Sequence, residues 1–224
     1  MTEQIIKSKQ RVQKHGEVFT PSWMVQKMLD TPGVKEACEN IYATFLEPAA
    51  GDGNFLEAIL ARKLTAVKEQ YHQRNWKTKS LFALSSIYGI EFLEDNLTVA
   101  RSRMFLYYLN WYEETFGQRL NSQSDLYKSA HFLILKNIVR GNTLTKRHPE
   151  TNELIMLSEW RRVKGHPSVV EEIAFPFAEL FGEDLEGQER VVEGQLSLDL
   201  WVDEILVEKE QKQVLIQKVY MLGE

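Results

Sequence analysis

A single cysteine, Cys38, stands in a chain of 224 residues. It has no partner for an internal disulfide, and one thiolate is too few for a cysteine-based zinc site. The five histidines, at positions 15, 72, 131, 148 and 166, are dispersed and show no metal-ligand spacing, so no metal is expected. No apolar stretch reaches the roughly 20 residues of a membrane span. No charged start followed by an apolar run marks a secretion signal either, which predicts a cytoplasmic protein with no membrane partner. Proline is scarce as well: six residues, no two of them adjacent. Internal repeats and low-complexity blocks are missing. What remains is ordinary globular composition, long enough for one core burying about 70 per cent of the unfolded surface.

Residues 43 to 60, ATFLEPAAGDGNFLEAIL, read as a short apolar strand, a glycine-bearing turn and the start of a helix. Ala43 to Leu46 supply the strand. Gly51 and Gly53 supply a backbone that a ligand can approach, and Asn54 is placed to cap a helix with Leu56, Ile59, Leu60 and Leu64 on one face, running to about Gln70. By itself this could be a tight turn without a ligand. Glu47 and Asp52 argue against phosphate, because a pyrophosphate loop presents amides without adjacent carboxylates. A cationic nucleoside suits the acids better, and S-adenosylmethionine, with its sulfonium and amino groups, is the obvious one.

Two further segments supply context. Residues 87 to 91, IYGIE, form a second apolar run ending in Glu91, followed by Phe92 and a long helical pattern. An acid at that strand end is where ribose hydroxyls are held in doubly wound sheets, since a carboxylate accepts two hydrogen bonds from a diol. Upstream, HGEVFTP (residues 15 to 21) makes a rigid corner of Phe19, Thr20 and Pro21. Ser22 then opens a helix in which Val25, Met28 and Leu29 share a face.

In this order and at these intervals, GEVFTP, EPAAGDGNF and IYGIE resemble the adenine-specific DNA methyltransferases of bacterial and phage restriction-modification systems. The resemblance covers about the first 145 residues. It implies an α/β, Rossmann-like methyltransferase fold, a doubly wound sheet with helices on both faces, and S-adenosylmethionine as cofactor. It places Thr20 at the methionine carboxylate, with Phe19 and Pro21 beside it. Glu47, Pro48, Ala49, Gly51 and Gly53 fall around the methionine half, Glu91 on the ribose and Phe92 on the adenine ring. NIVRGNTL, residues 137 to 144, is similar to the family's third strand and loop. Where an Asp usually meets the adenine amine this chain has Asn142, whose amide oxygen can still accept a hydrogen bond.

The family's catalytic tetrapeptide, Asn or Asp followed by two prolines and an aromatic residue, is absent. Methylating the adenine amine requires a flipped, stacked base whose amine is drawn toward acceptors. Ser158, Glu159 and Trp160 fall where that loop is expected, and Phe175, Pro176 and Phe177 offer a weaker substitute. The segment reads better as an apolar strand, a basic turn of Arg161, Arg162 and Lys164, and a second strand completing a hairpin. No catalytic residue is assigned. Three functions follow from the resemblance. One is adenine methylation in DNA, with a partner chain supplying specificity or catalysis or with an altered loop. Another is a catalytically silent homologue serving as a cofactor-binding subunit or a replication-associated interaction protein. The third is methylation of RNA or a small molecule.

Charge divides the chain. Residues 180 to 224 hold eleven acids and four bases, so with a net charge of −5 overall, residues 1 to 179 are mildly basic. DNA can meet that body through Lys7, Lys9, Arg11 and Lys14 or through the Arg161 to Lys164 turn. Leu97, Ala100, Met104, Tyr108 and Trp111 follow helical spacing and predict core packing; the alternative is that the aromatic richness of Tyr107, Tyr108, Trp111 and Tyr112 exceeds what one sheet can bury and leaves a partner surface. A methyltransferase-type domain is expected over residues 1 to 182 and an acidic extension over 183 to 224, joined by a linker from Gly182 to Gln188. Within the extension, Gln195, Leu196, Leu198 and Leu200, followed by Trp201, resemble the peptides by which bacterial proteins dock on the DNA polymerase sliding clamp.

Overall fold

The structure is a computed structural model that describes residues 7–15, 17–182 and 212–223. The clamp-like peptide at Gln195 to Leu200 and the linker beyond Gly182 lie outside the described residues. Three short helices open the chain: α1 (Lys9–His15), α2 (Ser22–Leu29) and α3 (Val34–Glu39). Strands β1 (Phe45–Glu47), β2 (Ile87–Glu91) and β3 (Ile138–Arg140) then form a parallel sheet in the order 1-2-3, with Phe45 opposite Ile87 and Gly89 opposite Ile138. Parallel neighbours need crossovers. Here α4 (Asn54–Gln70) and α5 (Trp76–Ser85) make the first, and α6 (Glu94–Phe116) and α7 (Asp125–Asn137) the second.

The two faces of β2 show how the layers stack. Its residues alternate, so Gly89 points one way and Tyr88 and Ile90 the other. A Cβ on Gly89 would lie 3.0 Å from Leu56 of α4, which puts the helices on that side. On the other side, the Tyr88 hydroxyl donates to the Ser158 carbonyl at 2.9 Å, while Ile90 and Ile155 both close on Gly141. Those partners belong to, or lead into, a second sheet of antiparallel strands β4 (Met156–Arg162), β5 (Val169–Pro176) and β6 (Gln213–Leu215). The protein is thus α/β, with helices on one face of a parallel sheet. Among the described strands the order never reverses as it does in a doubly wound sheet, and β4 covers the face opposite the helices.

Several local expectations hold and others shift. β2 and α4 span the residues read from the sequence, and the expected hairpin forms, but Arg161 and Arg162 pair within β4 and only Lys164 lies in the turn. Strand β1 begins at Phe45 rather than Ala43. Tyr108, Trp111 and Tyr112 are buried with Leu97, Ala100 and Met104, so this stripe is core rather than a partner surface. Met28 is half exposed, leaving Val25 and Leu29 as the buried face of α2. Asn54 does not cap α4, because Gly53 takes that position in a left-handed conformation. Its amide instead donates to the Thr20 carbonyl at 3.0 Å and accepts from Arg103 at 2.6 Å, tying α2 and α6 to the loop.

The far end of the acidic extension belongs to the body. After β6, a 3-10 segment (Ile216–Gly223) buries Ile216 and Val219, and the Tyr220 hydroxyl donates to Asp125 at 2.9 Å. Asn137 links the layers from within. Fully buried, it donates to the carbonyls of Ser85 and Ile87 at 3.1 and 3.2 Å and accepts from the Trp160 indole at 2.8 Å. Among the described residues no helix is long and apolar enough to cross a membrane.

Candidate functional site

Strands β1, β2 and β3 end on the same side, and a cleft of about 580 Å³ opens there. Ligands of open α/β sheets bind outside the carboxyl ends of the strands, so the position alone marks it. Of the residues expected from the sequence, Phe19, Pro48, Ala49, Gly51, Glu91, Phe92 and Asn142 line the cleft. Thr20, Pro21, Glu47 and Gly53 do not. The Thr20 carbonyl is held by Asn54, and Pro21 starts α2. Glu47 turns back to accept from the Ala49 amide at 3.2 Å, and burial raises its carboxyl above the usual range. Gly53 is demanded by packing. Its φ is +89°, and a Cβ there would lie 2.9 Å from the Ala100 backbone in α6.

The glycine loop is already hydrogen-bonded. The Gly51 amide donates to a Glu91 carboxylate oxygen at 2.7 Å, Ala50 to the Ile90 carbonyl at 2.9 Å and Gly53 to the Ala50 carbonyl at 2.9 Å. These amides are therefore not available to cradle a phosphate, whose loops leave N–H groups pointing at the ligand. Asp52, the acid used in the sequence argument against phosphate, faces α6 instead and pairs with Arg103 at 3.0 Å.

Glu91 is buried, with one oxygen on the Gly51 amide and the other on the Leu93 amide at 2.9 Å. A carboxylate has about four acceptor positions, so each oxygen retains one for a ligand. Beside it Phe92 is 40 % exposed, its ring at the cleft wall. Asn142 spends its amide oxygen on its own loop, accepting from Leu144 at 3.0 Å and Thr145 at 3.4 Å.

Another part of the lining contains Glu17 and Asn96, which motif reading did not single out, and two of the basic residues read as DNA contacts, Lys7 and Arg11, are committed to acids beside it. Glu17, buried, accepts from the Arg11 guanidinium, with one contact at 2.7 Å, and from the Asn96 amide at 2.6 Å. Arg11 also grips Asp95 at 2.9 Å, and Lys7 binds Asp95 at 3.0 Å and contacts Asn96. These hydrogen bonds hold the Glu17 carboxyl below its usual range and that of Asp95 down to about 2, with the Arg11 contact the largest cause in both. Helix α1 has no buried apolar residue, so this charged clasp on the start of α6 is what positions it and the cleft residue Lys14. The clue was available, since a basic run precedes GEVFTP and the acid Asp95 follows IYGIEF, but pairing across some 80 residues has no local signature.

Ser158, Glu159 and Trp160 sit in the β4 ladder opposite Ala174, Ile173 and Glu172, and none lines the cleft. The Ser158 hydroxyl donates to Glu172 at 2.6 Å, and the Trp160 indole is held by Asn137. Phe175 and Pro176 continue β5, and Phe177 is buried. Neither substitute for the tetrapeptide reaches the cleft. Comparison of the chain with models of protein families, with curated proteins and with solved structures gave no match in any of the three.

Proposed function

We propose that the cleft binds S-adenosylmethionine and that this chain is the cofactor-binding part of an adenine-directed DNA methyltransferase system, built on the first half of a methyltransferase-type sheet. A partner chain supplies the catalytic loop and the DNA-recognition module. The observation that carries the reading is Glu91, whose carboxylate fixes the glycine loop and still has an open acceptor position on each oxygen beside an exposed aromatic ring. A ribose diol and a neighbouring purine match that pair, and amides already spent disfavour a phosphate in their place. Burial of Ser158 and Trp160 within β4 favours a second reading alongside it, a catalytically silent subunit that only holds cofactor.

Calorimetric titration tests the first claim. The wild type should bind S-adenosylmethionine, and Phe92→Ala and Gly51→Asp should each weaken binding about tenfold or more, as loss of a stacking face or blockage of the loop implies. No binding at millimolar ligand would overturn it. Radiolabelled methyl transfer to unmethylated DNA separates the two readings. Transfer only in the presence of co-purifying proteins supports the partner-completed enzyme, and none under any condition supports the silent subunit.

A further inference from the structure

We propose that the amino end of the parallel sheet, opposite the cleft, carries a phosphate-binding site for a nucleic-acid backbone, formed by Lys79, Arg162 and the hydroxyl groups of Tyr42 and Tyr71. The four residues come from different parts of the chain. Tyr42 precedes β1, Tyr71 follows α4, Lys79 lies on α5 and Arg162 ends β4. The Arg162 guanidinium lies over the Tyr42 ring at 4.0 Å, while the Lys79 ammonium meets the other end of the same residue, donating to its hydroxyl at 2.6 Å. Lys79 is also 5.0 Å from the Tyr71 ring centre, so the second tyrosine flanks the same cation. One tyrosine thus holds two cations side by side.

Their charge is unmet. Arg11, Arg62, Arg103 and Arg140 each pair with a carboxylate. Among the described residues, neither Lys79 nor Arg162 does. The nearest acid along β4, Glu159, pairs with Arg161 at 3.7 Å. Stacking occupies the face of a guanidinium and leaves its N–H donors, all in the plane, directed outward in the fork geometry that matches phosphate oxygens. Arg162 is exposed, and Tyr42, Tyr71 and Lys79 are all partly open, so solvent-borne anions reach them. Arg74 shortly before Lys79, and Lys164 in the hairpin with Arg162, add positive charge close by in the chain, as a linear polyanion requires. A membrane surface is a poorer match, since exposed apolar residues such as Val18, Phe92 and Leu144 cluster at the cleft end instead. The choice of nucleic acid rests on the DNA-directed reading above, but its test does not depend on the cofactor.

The test is fluorescence anisotropy of the full chain with a short labelled single-stranded deoxyoligonucleotide and with the same sequence on a neutral methylphosphonate backbone. The phosphodiester strand should bind and the neutral one should not. The double substitution Lys79→Gln with Arg162→Gln should weaken binding at least tenfold. It should also flatten the dependence of log affinity on log salt by about 1.4, the value for two lost single-strand phosphate contacts. The charge-retaining Lys79→Arg and Arg162→Lys should each keep most of the binding, which separates charge from folding if the double variant proves unstable. S-adenosylmethionine titration of the same samples is independent: a failed cofactor titration with intact oligonucleotide binding sinks the cleft reading alone. Equal binding of both backbones, binding unaffected by the double substitution, or capture by phosphatidylglycerol vesicles without oligonucleotide binding would overturn the proposal.

Discussion

At Glu91 a strand stops at the floor of the cleft, and its carboxylate turns onto two loop amides there. Glu172, a residue of the same type, lies within β5, where it accepts from the Ser158 hydroxyl and pairs with Lys136 at 3.0 Å. The parallel sheet ends in three loops on one side, and their side chains converge. The antiparallel sheet continues through a hairpin, so its polar residues meet each other across the ladder. Whether a Ser, Glu or aromatic residue can take part in chemistry is therefore decided by where its strand ends, not by residue type.

The largest effect should come from breaking the joint between the two regions. Asn137→Leu removes donors to two backbone carbonyls and the acceptor of the Trp160 indole, all buried, and should cost about 3 kcal/mol. For a domain of this size that is a fall in Tm of roughly 6–12 °C, measurable by thermal denaturation. A loss of less than about 1 kcal/mol would mean that the sheets are not coupled through this residue.

Next is a pair of glycine substitutions within the parallel region. Gly53→Ala drives a Cβ against the Ala100 backbone at a left-handed φ and should cost about 2 kcal/mol. Gly51→Ala also adopts a positive φ, +55°, but its Cβ meets only the Phe19 ring at an ordinary 3.4 Å, so it should cost about 1 kcal/mol. Urea denaturation that ranks them the other way would contradict this packing.

That contrast bears on how much could be read from the sequence. Strand β2, helix α4, the α6 stripe and the existence of the hairpin were legible because their signals are local: apolar runs and period-3.6 spacing, although Arg161 and Arg162 proved to be strand rather than turn. Seven of the eleven residues named for the site do converge on the cleft. Thr20, Pro21, Glu47 and Gly53 do not, because a motif gives proximity in sequence, whereas side-chain direction depends on Asn54, Ala49 and Ala100. Helix α5 was illegible for a different reason. Its residues from Ser80 to Ser85 are buried on every side, which erases the periodicity that betrays a helix. The closing 3-10 segment is tied to α7 and Asp125 by contacts across some 90 residues, and no local pattern encodes those.

A third comparison sets function against packing. Ser158→Ala should lower stability by about 1.5 kcal/mol, through loss of a hydrogen bond to a charged group, and leave S-adenosylmethionine affinity unchanged. Phe92→Ala should do the reverse. Equal effects of both on affinity would place β4 at the site after all.

A further test reads a slope in pH rather than stability at a single condition. Lys63 is buried with its ammonium on the carbonyls of Asn40 and Ala43, at 2.9 and 2.6 Å, and desolvation brings its pKa down to about 7 from 10.5. The unfolded chain therefore binds more protons between these values, so this group makes stability rise from pH 7 toward 10.5 and fall as pH drops through 7. Lys63→Met should flatten that slope in Tm measured across this interval. A slope unchanged by the substitution would assign it to other groups.

The hydrogen bonds that close the glycine loop on Glu91 also have an energetic meaning for anything that enters the cleft. A loop whose amides are paired before a ligand arrives has little conformational freedom left to surrender, so binding carries a small ordering penalty and the wall is preorganised. Hydrogen exchange at the Gly51 and Leu93 amides should accordingly be slow in the free protein and change little on saturation with ligand. Rapid exchange that slows only when ligand is added would show instead that the ligand, not Glu91, sets the loop.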